Sequence, residues 1–536
     1  VLLLLLAITS ILLSFPSVQT KLGKSVTNYL QKDFDVDINV EKVDLSFLGN
    51  VQLKNVLIKN HYSDTLIYVN NLTTSIFSYK NLINNKMEFG QISFDNFVLN
   101  IKTYKGEKDD ALTIFVDKFD DGKNYNQPSG FLLTATNLKL NEGYVEIVDE
   151  NSPNDKTLFF KNISGDTKRF KIDGPNVSTV IKNLSFTENN GVNVTSFSSD
   201  FIYTKSFMKF KNTQIVTETS SVFADIDFLY NREDFSDFNN KVFIDSNVSK
   251  AIVSLVDLKK FYNEFGTDDV LYFTTNIKGN LNNFTTHNLQ LKSDKEAIIN
   301  GTLNFRNVFN LEYGFSMEGD LTNLTSDYNH LKGLLPDVLG KVLPSSFQKL
   351  GRFTISGYTY VTENLINANV TTKTDLGTTI SDLELTDISN IDEASYIGHV
   401  KIIDFELGEI IGDSLVGKLS MEADIEGEGF TLENMNTSVR GDVSKHQYKN
   451  YTYSNITLNG VVKNKHFNGA MEVNDDNIKL NFNGLADFSS DVYTFDFKTI
   501  VDYCDLKTLN LFKRDSISNI KGDIDIKVNG NTFDDL

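Results

Sequence analysis

The side chains able to do covalent or metal chemistry are few and scattered. Six histidines (His61, His287, His330, His399, His446 and His466) share a 536-residue chain with one cysteine, Cys504. No two histidines form an H-E-x-x-H pair, and none lies beside Cys504 in a nucleophile motif. "GEGFTL" (427–432) has two glycines of a dinucleotide loop, without the third and without a βαβ setting, so it reads as a turn. "GDIDIKVNGNTFDD" (522–535) carries four acids. Their spacing does not match a calcium-binding loop, and the wet face of a strand explains Asp523 and Asp525. No enzyme, no cofactor and no metal site is expected.

The chain balances 51 Lys and Arg against 71 Asp and Glu, a net charge of −20. That excludes a nucleic-acid backbone as partner, because phosphate binding needs a basic face. A single cysteine excludes an intrachain disulfide. Six prolines, 41 Phe and 21 Tyr suit long regular strands.

Such strands need something to position them, and the first residues give the clearest topological signal. "VLLLLLAITSILLSF" (1–15) carries no charge, with Leu2, Leu3, Leu4, Leu5, Leu6, Ile8, Ile11, Leu12 and Leu13 in one apolar run. An uncleaved transmembrane anchor, truncated at its start, is expected, with a signal-peptide core as the rival reading. Residues 16–33 then place Val18, Leu22, Val26 and Tyr29 on one helical stripe with lysines off it. This amphipathic helix either lies at the membrane interface or caps the first strands.

From Asp35 the apolar period changes to two. Val36, Ile38 and Val40 alternate with Asp35, Asp37 and Asn39, and the pattern recurs to Ile524, Ile526 and Val528. A mainly β protein of antiparallel type follows, with one dry and one wet face. Segment 34–104 is the N-terminal β part, 105–130 a linker or long loop and the expected internal boundary, and 131–536 a series of β modules. Helices are expected over 248–263, through Val248, Ile252 and Leu255, and in 326–351. An internal repeat joins "VDLKKFYNEF" (256–265), "CDLKTLNLF" (504–512), "DFELGEI" (404–410) and, more loosely, "GDLTNL" (319–324). In each, Asp and Leu open a short turn or helix beside a strand. The uneven intervals exclude a strict solenoid.

About 14 residues per strand and turn would give about 36 strands. Their dry faces must close as sandwiches or curl into an open groove holding something apolar. Alternation alone leaves both open.

The N-terminal order bears on that choice. After the anchor, "TKLGKSVTNYLQKDFDVDINVEKVDLSFLGNVQLKNVLI" (20–58) has a short helix, a strand with Val36, Ile38 and Val43, then Leu53, Asn55, Val56 and Ile58 in an L-x-N-V-x-I strand. This resembles the AsmA-like proteins, in particular the TamB-like (translocation and assembly module) proteins of Bacteroidota. Residues 405–488 are similar to repeats of the same proteins. The resemblance covers 1–100 and about 320–536 best, and implies an N-terminal part of a longer protein. It also implies a long β-sheet curled into an elongated apolar groove, a β-taco, with a few short amphipathic helices. By that resemblance the protein is a single-pass inner-membrane protein with its bulk in the periplasm. It would carry phospholipid acyl chains to the outer membrane, support outer-membrane protein assembly with a barrel partner, or do both. Leu419, Met421, Ile425, Ile478, Leu480, Phe482, Ile524, Ile526 and Val528 are then expected to line the groove. The alternatives are a strand-pairing scaffold without lipid transport and a β-sandwich adhesin or structural protein.

Overall fold

The structure is a computed structural model. It describes residues 27–45, 50–76, 87–123, 125–152, 156–262, 265–266, 269–309, 313–334, 344–431, 433–490, 492–512, 514 and 517–530. The anchor expected at 1–15 lies outside these residues, as do Val18, Leu22 and Val26. Among the described residues no helix is long and apolar enough to cross a membrane. The chain forms two compact units, 1–261 with 273–281, and 262–272 with 282–536. Both are mainly β. The described residues form twenty-six strands, fewer than the turn spacing predicts, because several strands are long.

In the first unit α1 (27–34) leads into β1 (Ile38–Leu45), β2 (Asn50–Lys59), β3 (Thr65–Ile76) and β4 (Met87–Thr103). These strands pair in chain order, all antiparallel. After α2 (Ala111–Asp117), β5 (Leu132–Asp149) pairs parallel to β4, with Met87 opposite Leu133 and Thr103 opposite Asp149. The antiparallel expectation fails at this step because the connection 104–131 is long enough to carry the chain back along the strand. This is the segment expected as a linker or long loop, and much of it is packed. The Asp110 carboxylate caps α2 by accepting from Thr113 N at 2.9 Å. Phe115, Phe119 and Phe131 join Val36 and Met87 in one core cluster. Tyr29 and Leu30 of α1 pack on the same cluster. Phe34 stands 5.1 Å from Phe119 and 5.2 Å from Phe131, ring centre to ring centre. The described end of the 16–33 helix therefore covers the body, one of the two roles expected of it.

The unit continues through β6 (Lys156–Asp173), β7 (Asn176–Glu188), β8 (Asn193–Tyr203), β9 (Phe207–Thr217) and β10 (Ser221–Leu229). It ends with α3 (Phe238–Lys241), β11 (Phe243–Ser254), α4 (Leu255–Lys259) and most of β12 (Val270–Gly279). From β5 to β11 each strand pairs antiparallel with the next. The helix expected over 248–263 is strand as far as Ser254 and helix only in α4. Ala224 faces Val248 and Phe223 faces Lys250, leaving Ser249 as a β-bulge. The bulge puts the buried Val248 and Ala251 three residues apart on one face, a spacing that imitates a helix.

The second unit holds β13 (Phe284–Ser293), β14 (Ile298–Arg306), β15 (Ser316–Asp327), α5 (Tyr328–Leu334), β16 (Arg352–Thr362), β17 (Leu365–Thr374) and β18 (Gly377–Thr386). Then come β19 (Ser395–Glu406), α6 (Leu407–Ile411), β20 (Val416–Glu428), β21 (Asn436–Tyr448), β22 (Tyr451–Lys463), β23 (His466–Asn474), β24 (Ile478–Asp487), β25 (Thr494–Asp505) and β26 (Asn519–Asn529). Each strand pairs antiparallel with the next in a single ladder. Two facing sheets, the sandwich alternative, do not occur within this ladder. In 326–351 the expected helix is α5 and a 3-10 turn, Ser345–Leu350, with 335–343 outside the described residues. "GDLTNL" lies inside β15 instead of opening a helix. The residue that does so is Asp327, which accepts from His330 N at 3.0 Å.

Candidate functional site

In a ladder of in-register strands, directly opposed residues share a face. One row on the inward face of the second unit runs Met421, Val443, Ile456, Val473, Leu480 and Val501. Two residues further along each strand, the next row runs Ala423, Gly441, Leu458, Met471, Phe482, Thr499 and Ile524. A third runs Ile425, Val439, Gly460, Gly469, Gly484, Phe497 and Ile526, and a fourth ends Phe467, Ala486, Phe495 and Val528. The third row extends back through Gly398, Leu383, Ala368, Thr359 and Gly319 to Leu303. It therefore crosses thirteen strands, β14 to β26, without a Lys, Arg, Asp or Glu. At about 4.8 Å per strand that is an uncharged lane about 58 Å long.

All nine residues expected to line a groove lie on this face. Ile478 is buried with Val443, Ile456, Val473, Val501 and Cys504, and Leu419, Met421, Leu480 and Ile524 pack against that cluster. Ile425 packs against a second cluster, built on Leu385, Ile388, Ile391 and Tyr396 at the other strand ends. Phe482 stands 4.9 Å from Phe497 and 6.0 Å from Phe467. Ile526 faces Phe497, and Val528 faces Phe495. Except for Ile478 these side chains are only half-buried.

The ends of the strands are closed by local structure. At one end the buried Leu509 sits on the first cluster, in a turn that Asp505 organises. The Asp505 carboxylate accepts from Lys507 N and Thr508 N at 3.1 Å, and from Thr508 Oγ1 at 2.9 Å. Beside it the buried Asp475 accepts from Ser454 N at 3.0 Å, Ser454 Oγ at 2.7 Å, Asn477 N at 3.0 Å and the Tyr451 hydroxyl. Burial raises the Asp475 pKa, but these donors outweigh it and hold the carboxyl below its ordinary value. At the other end Tyr396 donates to Gly429 O at 3.2 Å.

The charges of these strands project outward. Lys401 pairs with Glu422 at 2.7 Å and His399 with Asp424 at 2.9 Å. Lys498 pairs with Asp525 at 2.9 Å and Lys527 with Asp496 at 2.8 Å. The hydrogen bond to Asp424 raises the His399 pKa. These exposed pairs fix register more than they stabilise. Asp523 and Asp525 occupy the wet face expected of them. Among the described residues no three His, Cys, Asp or Glu side chains converge as a metal site.

Two features of the lane escape a reading by alternation. The first is its glycines, which gather mid-strand in adjacent rows. A Cβ on Gly469 would meet Asn459 O at 2.4 Å, and one on Gly484 would meet Asp496 O at 2.4 Å and Phe497 Cα at 2.5 Å. Backbones crowd one another here, at positions that admit no side chain. The Phe467 ring covers Gly460, its Cε2 standing 2.9 Å from where a Cβ would be. Mid-strand glycines in so many strands were the available signal. The second feature is His446. A period of two counted from Val443 puts it outward. A bulge at Ser444 turns it inward, opposite Leu419 and Tyr453.

No protein-family model matches the chain, and no curated protein matches it in sequence.

Proposed function

We propose that the chain belongs to a membrane-anchored periplasmic bridge whose uncharged lane holds phospholipid acyl chains on their way to the outer membrane. The observation that carries this reading is the row from Leu303 to Ile526, apolar or small throughout and free of charge across thirteen strands. Its large members are half-buried. A face of this kind favours an apolar occupant, since burying a large side chain is worth about 1.5–3 kcal/mol, whereas an isolated charge there is costly. The likeness of residues 1–100 and about 320–536 to TamB-like proteins supports the same reading. It adds the inner-membrane anchor, the periplasmic body and an outer-membrane barrel partner to the proposal. On this reading the chain is not an enzyme, and its lane contributes area rather than chemistry.

A photo-crosslinking residue placed at position 480, inward, and at position 479, outward, tests the proposal in intact cells. Phospholipid adducts at 480 and none at 479 are the expected result. Adducts at 479 alone, or at neither position, overturn it.

A further inference from the structure

His446 is the one side chain on the inward rows of β20–β26 that can gain a positive charge near neutral pH. It is directly opposed by Leu419 on β20 and Tyr453 on β22, and both pack on the cluster at the closed strand ends. Its Nδ1 is buried and has no hydrogen-bond partner. The groups around it offer no counter-charge. Leu419 and Tyr453 oppose it, and the cluster on which these two pack adds Met421 from β20, Tyr451 from β22 and Cys504 from β25. Burial pushes the Tyr453 hydroxyl up to about 12 and raises the Cys504 thiol, so both are neutral. Asp475 is already engaged by Tyr451, Ser454 and Asn477. On the outward face Lys418 is tied to Glu406 at 3.6 Å.

We propose that protonation of His446 disables this stretch of the lane for acyl chains, so that the groove loses its apolar occupant as the pH falls. The inference rests on the acyl-chain reading above and adds a regulator to it. An imidazolium here would place a charge between Leu419 and Tyr453, in a partly buried position with no carboxylate paired to it. Burial alone holds the imidazole below its ordinary pKa of 6.5. The neutral ring is therefore the form present at neutral pH, and the charged form enters only on acidification.

The experiment uses the full chain and phosphatidylcholine bearing a fluorescent acyl chain, whose headgroup does not titrate in the range. Binding is measured from about pH 7.5 down to about pH 5 for the wild type, His446→Leu and His446→Gln. Each protein is referred to its own affinity at the upper pH. The wild type should then lose about tenfold in affinity on acidification, while the two variants stay nearly flat. Equal losses in wild type and variants, or a flat wild type, overturn the proposal and leave the acyl-chain reading standing. Absence of binding at the upper pH overturns the acyl-chain reading, and this one with it. Thermal melts at the upper pH identify a variant that fails to fold, in which case the other variant carries the comparison.

Discussion

A Cβ built on Gly398 would stand 2.0 Å from the carbonyl oxygen of Asp382 on the neighbouring strand. Gly398 also has φ +148°, which L side chains rarely adopt. The close approach of the two strands at this row therefore requires glycine. Gly398→Ala should lower the unfolding free energy by about 1–3 kcal/mol. Gly333→Ala, in α5 with open space around it, should be neutral or stabilise by up to about 1 kcal/mol. Urea titrations of the two variants against wild type provide the comparison.

A charge in the lane should matter far more than one outside it. Leu480 lies between Val473 and Val501, whereas Lys479 lies on the opposite face. Leu480→Arg should reduce co-purifying phospholipid several-fold, and Lys479→Glu should leave it unchanged. Mass spectrometry of extracted lipid reads both. Equal loss in the two variants would point to damage of the fold rather than of the lane.

Thr499 and Thr437 are both buried on this face, yet they differ in their partners. Thr499 Oγ1 has none, while Thr437 Oγ1 bonds the Tyr396 hydroxyl. Thr499→Val should keep or raise stability, because it removes an unmet polar group. Thr437→Val should cost about 0.5–1.5 kcal/mol. Chemical denaturation distinguishes the two.

Asp475 makes a pH-dependent contribution whose sign follows from its partners. Its folded pKa lies below its ordinary value despite burial, because Tyr451, Asn477 and Ser454 donate to the carboxylate. The stabilisation is thus fully present above an unfolded pKa of about 3.9 and is lost as the pH falls through the lower folded value. Wild-type stability should fall steeply below about pH 4, and Asp475→Asn should flatten that limb. Measured at pH 7, the variant should be less stable by about 1–3 kcal/mol.

Cys504 is buried and its thiol pKa is raised, first by burial and then by Asp505. The native protein should react with a thiol reagent at least about a hundredfold more slowly than the urea-unfolded chain. Comparable rates would place Cys504 outside the closed end of the lane.

Sequence alone determined the faces of the strands. The alternation of Ile524, Ile526 and Val528 with Asp523, Asp525 and Lys527 specifies an inner and an outer side, because a side-chain period of two leaves no other choice. The same reasoning placed all nine expected lining residues on one face. It also yielded a mainly β chain with few helices, since alternation is a local property. What it could not supply is whatever depends on a neighbouring strand. The parallel step between β4 and β5, the bulge at Ser249 that imitates a helix and the bulge at Ser444 that turns His446 inward all arise from pairing. A bulge shifts the period by one residue, so a count along one strand goes wrong beyond it. The glycine rows are the same lesson on a larger scale. Gly460, Gly469 and Gly484 follow no fixed spacing in the chain, and only the register of β22, β23 and β24 makes them opposed. Their effect, strands that approach too closely to admit a side chain, exists only once the strands are side by side.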